Sequence, residues 1–140
     1  MNKAKEYLNQ IRNLDAAIRR RQQEVEELRT AVMNSSAKLD ANRIRTDSPD
    51  QDQLAGRIAK YVDMEHEVDA MIDELIDLKH TIIGQIQMLD DARYTELLWM
   101  RYVDLEPFER IADSMGYSLQ HIFMLHGRAL QLFNEKYKIK

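Results

Sequence analysis

Cysteine is absent from the chain, which removes disulfides, thiol catalysis and thiolate zinc sites from consideration. Proline and glycine are scarce, two and four in 140 residues, a scarcity that suits long periodic helices. Long apolar runs are missing too. No stretch approaches the roughly 20 apolar residues that a membrane-crossing helix needs. The opening MNKAKEYLNQ lacks a signal-peptide pattern and runs straight into an amphipathic repeat, so a cytoplasmic protein is expected. Nor do Gly56, Gly84, Gly116 and Gly127 fall in an arrangement that cradles phosphate. What remains is a chain that is 44% apolar and 31% charged, too polar for a membrane protein and too apolar for a disordered one.

The net charge of −4 is unevenly spread. Residues 1–33 carry seven Lys/Arg against five acids, residues 34–51 balance, residues 52–90 carry three against nine, and residues 91–140 balance again. A nucleic-acid binder usually shows a basic domain or stripe, and the neutral C-terminal segment counts against a strong grip on DNA.

Ala4, Tyr7, Ile11, Leu14, Ile18, Val25, Leu28 and Val32 advance by threes and fours with Arg21 interrupting, which is a heptad seam on a helix. The polar stretch that follows loses this period, and residues 34–48 are expected to form a mobile loop. Ser48, Pro49 and Gln51 then predict a capped helix start at Pro49. From there Leu54, Ile58, Tyr61, Val68, Ile72, Leu75, Ile82, Ile86 and Leu89 form a second seam, with Glu65 and Lys79 filling two polar core positions. Residues 1–90 therefore read as a long antiparallel helical hairpin. Apolar residues flank its second seam on both sides, Met64, Met71 and Leu78 on one and Val62, Ile76 and Ile83 on the other. One partner helix cannot cover so wide a face, so a homodimer with a four-helix core is expected there. The basic run Arg19–Arg21 is expected to pair with Asp69, Asp73 and Asp77 across the hairpin rather than with phosphate.

Residues 91–140 read as a separate unit. Asp90 and Asp91 offer an N-cap for a short helix that ends near Val103 and buries Tyr94, Leu97 and Leu98. Pro107 opens the next helix, with Phe108, Ile111, Ala112 and Met115 on one face, and Gly116 stops it. Ser118 caps a last helix that points Ile122, Leu125, Ala129 and Phe133 inward. A small residue, a glycine four later, an apolar residue six after that and another three further on is the pattern of a helix-turn-helix. Ala112 lets two helices cross closely, Gly116 supplies positive φ, and Ile122 with Leu125 lock the second helix onto the first.

The stretch LLWMRYVDLEPFERIADSMGYSLQHIFMLHGRAL resembles the DNA-binding region 4 of sigma-70 type factors. With the YLNQIRNLD opening and the KYVDMEHEVDAMIDELIDLKHTI helix, nearly the whole chain resembles a family of small phage and prophage proteins of Gram-positive bacteria. The resemblance implies a transcriptional regulator related in design to late-gene activators of the ArpU and RinA kind. It also implies that the helix starting at Ser118 is a recognition helix, with Ser118, Leu119, Gln120, His121, Met124 and Arg128 expected at the major groove or its phosphates. Gln120 and Met124 stand where related sequences tend to carry Arg or Lys, which reduces the cationic contacts to phosphate.

Other signals read as structural. His66, His80, His121 and His126 lack metal-ligand spacing, and the acids of the second long helix read as a solvated face, so no metal, cofactor, small-molecule substrate or enzymatic activity is expected. Trp99 beside Met100 reads as core, with protein docking as the alternative. The fold expected is all-α, a helical hairpin followed by a helix-turn-helix. The function expected is a dimeric, sequence-specific DNA-binding regulator. The alternative is a helical interaction module that binds RNA polymerase or another regulator without reading DNA.

Overall fold

The computed structural model describes residues 2–42 and 49–139, and every regular element among them is helical. The elements are α1 Lys3–Leu8, α2 Gln10–Asn42, α3 Pro49–Gln87, α4 Ala92–Leu98, a π-helical turn Trp99–Val103, α5 Phe108–Met115 and α6 Leu119–Tyr137. Among the described residues no helix is long and apolar enough to cross a membrane.

α1 and α2 are nearly one helix. Asn9 separates them with φ −70° and ψ −7°, yet its N–H still reaches the Lys5 carbonyl at 2.9 Å and its carbonyl accepts from Asn13 at 3.0 Å. The helical bonding therefore passes through the break. α2 continues to Asn42, which corrects the expected loop: residues 34–42 are helical. Ala37, Lys38, Leu39 and Ala41 are good helix formers, and a polar helix surface needs no apolar period to persist. The rest of that expected loop, with the expected Ser48 cap, lies outside the described residues. Among the described residues α3 runs from Pro49 to Gln87.

The chain divides into two compact units, Met1–Asp15 with Leu75–Lys140, and Ala16–Glu74. This differs from the expected boundary at residue 90. The reason lies in the seam residues near the chain start and the end of α3. Ala4, Leu8, Ile11, Ile82, Ile86 and Leu89 are buried together with Leu98, Tyr102, Ala129, Leu130 and Phe133 in one core. Burying these apolar surfaces together is worth about 25 cal/mol per Å2 removed from water, and it ties the N-terminus to α6. The Tyr7 hydroxyl donates to Gln85 Oε1 at 2.6 Å, and the Tyr137 hydroxyl donates to the Gln85 carbonyl at 2.6 Å. A second core joins Leu97, Ile111, Ala112, Ile122 and Leu125.

In the Ala16–Glu74 unit Ile18, Met64 and Val68 are buried, and Val25, Leu28, Val32, Tyr61 and Ile72 are half-buried. Arg21 reaches Glu67 at 3.9 Å and Arg57 donates to Ser35 at 2.7 Å, so paired positions advance in opposite directions along α2 and α3. The cross-helix ion pair of Arg21 thus runs to Glu67, with Glu24 as a second partner at 3.1 Å, rather than to the three aspartates expected.

The seam of α3 also runs differently. Met64 is 8% exposed and Glu65 is exposed, because the steps Tyr61 to Met64 to Val68 carry the buried face past the acid instead of through it. Enclosing an unpaired carboxylate costs far more than enclosing a thioether. Glu65 instead accepts from the Tyr61 hydroxyl, which raises the phenol pKa. Met64 is therefore withdrawn from the expected dimer surface, and Leu78 packs against the first core of its own chain. Met71 and Ile83 are half-buried. Val62 and Ile76 remain exposed, at 41% and 58%.

Candidate nucleic-acid interface

The α5–α6 junction follows from a few local choices. Pro107, at φ −70° and ψ 153°, lacks an N–H where the helix would leave one unpaired, and its carbonyl accepts from Ile111 at 3.1 Å. After its eight residues α5 meets Gly116, which adopts the left-handed region at φ 73° and ψ 31°. There the N–H groups of Gly116 and Tyr117 both reach the Ala112 carbonyl, so the last turn of α5 is closed by the residues that leave it. Ser118 starts α6: its hydroxyl accepts from the His121 N–H at 3.1 Å and its carbonyl from Ile122 at 3.0 Å.

Ile122, Leu125, Ala129 and Phe133 are all fully buried, as their spacing predicts, and Ala112 is 5% exposed against them. The opposite face of α6 is open. Ser118, Leu119, Gln120, Met124 and Arg128, five of the six residues expected to read DNA, are exposed. The sixth, His121, is half-buried with its ring 4.6 Å from the Tyr117 ring. The structure thus brings these six to the first three turns of one helix.

Two further residues of α6 lie outside those six. Phe123 is 50% exposed on the same outer surface and stands edge-on to Phe108 at 5.2 Å. His126 is buried, its Nε2 2.7 Å from the Tyr102 hydroxyl. Burial pushes the imidazole pKa down from 6.5 to about 4 and the phenol pKa up to about 12. At neutral pH both are uncharged, and the imidazole tautomer sets which of the two donates. The signal for His126 was available: it lies four residues after Ile122 and three before Ala129, on the apolar face.

No protein-family model, curated protein or solved structure matches the chain.

Beside the α6 surface the π turn supplies Arg101, whose guanidinium lies 4.0 Å over the Phe108 ring while Nη1 donates to the Glu106 carbonyl at 3.1 Å. Desolvation lowers its pKa. Glu106 in turn holds Arg110 at 3.4 Å, and Arg93 is held by Asp91 at 3.2 Å. Within the first three turns of α6 Arg128 is the one fixed cation. Lys136 and Lys138 are exposed at the other end of α6, and Lys140 lies outside the described residues. Among the described residues no three His, Asp or Glu side chains are grouped to hold a metal ion.

Proposed function

We propose that this protein is a sequence-specific, double-stranded DNA-binding regulator of phage or prophage transcription, acting in the bacterial cytoplasm through a helix-turn-helix made of α5 and α6. One observation carries the reading. A left-handed glycine and a serine cap join two helices that bury Ala112, Ile122 and Leu125 against each other, while Gln120, Met124 and Arg128 stand outward on the second helix. That is the arrangement by which a helix enters a major groove. Gln120 can pair with adenine, Arg128 with guanine or phosphate, and Met124 and Phe123 can contact thymine methyl groups.

In this reading α2 and α3 form a helical hairpin, and the exposed Val62 and Ile76 join two copies. Two modules on one scaffold raise the effective concentration at paired half-sites, which offsets weak single contacts. Mobility-shift titrations of the full chain with prophage promoter DNA at two salt concentrations test the proposal. A shift that weakens steeply with salt supports it. Replacement Arg128→Ala is expected to weaken binding by about 1 kcal/mol, and unchanged affinity removes Arg128 from the interface.

A second reading is favoured by the apolar character of the same surface, with Leu119, Phe123 and Met124 exposed at 36%, 50% and 42%. It makes α6 a docking face for RNA polymerase or another regulator. Absence of any shift at low salt, together with retention of polymerase on the immobilised protein, selects it.

A further inference from the structure

Trp99 is the chain's one tryptophan, and its side chain belongs to neither apolar core. Its neighbours divide between the two: Leu97 goes to the second core, Leu98 and Tyr102 to the first. The π turn that begins at Trp99 takes the Asp104 N–H to the Trp99 carbonyl at 3.0 Å and the Glu106 N–H to the Met100 carbonyl at 2.9 Å. A π turn adds a residue relative to α-helix and so alters which side chains share a face, and such turns occur frequently at functional sites.

Half-buried Trp99 and Met100, with Leu89 and Thr95, line a cleft of about 520 Å3 beside α4. That volume falls in the range of ligand-sized cavities and holds one or two large apolar side chains. Leu89, 7% exposed, belongs to the first core, so one wall of the cleft is fixed. Asp90 and Glu96 also line it. Both are exposed, and among the described residues neither carboxylate has a hydrogen-bond or ion-pair partner. An apolar cleft with two unpaired acids repels phosphate and attracts cations.

We propose that this cleft binds a peptide segment of a partner protein in which a bulky apolar residue is flanked by Lys or Arg. The apolar side chain enters against Trp99 and Met100, and the cationic groups meet Asp90 and Glu96. Aromatic residues in a partly desolvated pocket supply a large share of such binding. The inference does not depend on the DNA-binding reading, since the cleft shares no residue with the outer face of α6.

Trp99 emission reports occupancy of the cleft directly. The probe is a short amphipathic peptide with Leu and Ile anchors flanked by Lys, titrated into the full chain, beside versions carrying Glu for Lys or Ala for the anchors. A saturable blue shift is expected with the Lys peptide, none with the Ala peptide, and at least about tenfold weaker binding of the Glu peptide. The double variant Asp90→Lys/Glu96→Lys is expected to lose about tenfold for the Lys peptide, whereas Asp73→Lys, an exposed acid elsewhere on α3, leaves it unchanged. Equal responses to the two charge versions overturn the proposal, as does equal binding by the two charge-reversed proteins. Emission that shifts with protein concentration alone also overturns it, because a second copy then covers the cleft. Should the double variant fail to fold, the peptide series on the unaltered protein still decides.

Discussion

His126 and Tyr102 share a hydrogen bond in which neither partner carries charge at neutral pH, and this makes stability depend on acid. Between pH 6.5 and about 4 the unfolded chain takes up a proton that the folded chain refuses. Stability is therefore complete above 6.5 and declines as pH falls toward 4, by up to about 3 kcal/mol. Urea unfolding at both pH values checks this, with His126→Gln expected to show a smaller decline than the unaltered chain. Gly116 and Gly127 give opposite expectations for one chemical change. At Gly116 an added Cβ meets nothing within 4 Å, but φ is +73°, so Gly116→Ala is expected to cost about 1 kcal/mol from backbone strain alone. Gly127 lies inside α6 with equally open space around it, so Gly127→Ala is expected to stabilise by up to about 1 kcal/mol. Denaturation midpoints that move in the same direction for both contradict this account. Gly116 was legible in the sequence because its role is local, whereas the burial of His126 and its bond to Tyr102 depend on a contact 24 residues away.

At the scale of elements, starts and stops were the most legible features. Asp91, Pro107, Gly116 and Ser118 mark boundaries by chemistry that acts within a few residues, and the helices begin or end there. The cap is measurable: Ser118→Ala removes the acceptor for the His121 N–H and is expected to destabilise by about 1 kcal/mol, while Ser118→Asp retains stability. If DNA binding then falls in Ser118→Ala but not in Ser118→Asp, the residue acts through the helix start rather than by touching DNA. The π turn was not legible. Its sequence WMRYV has no proline or glycine, and an extra residue in a helical turn is chosen by which side chains the two cores accept. The extension of α2 to Asn42 was not legible, because a polar helix carries little amphipathic period.

For the whole molecule the mass in solution is a direct test of the dimer. Val62 and Ile76 are exposed at 41% and 58%, so Val62→Lys/Ile76→Lys leaves the fold intact. The unaltered chain is expected to scatter light as two copies of 16.5 kDa and the double variant as one. A single-copy mass for the unaltered chain removes the dimer from the proposal. The chain by itself determined that the fold is helical, where most helices start and stop, and which face of α6 turns inward, because spacing, capping and backbone preference are properties of neighbours in sequence. Only the tertiary structure decided that the first fifteen residues join the C-terminal unit, that Met64 rather than Glu65 enters the interior, and that Trp99 is left outside both cores. Each of those outcomes is a competition among distant apolar surfaces for the same buried space, and a periodic pattern names the competitors without naming the winner.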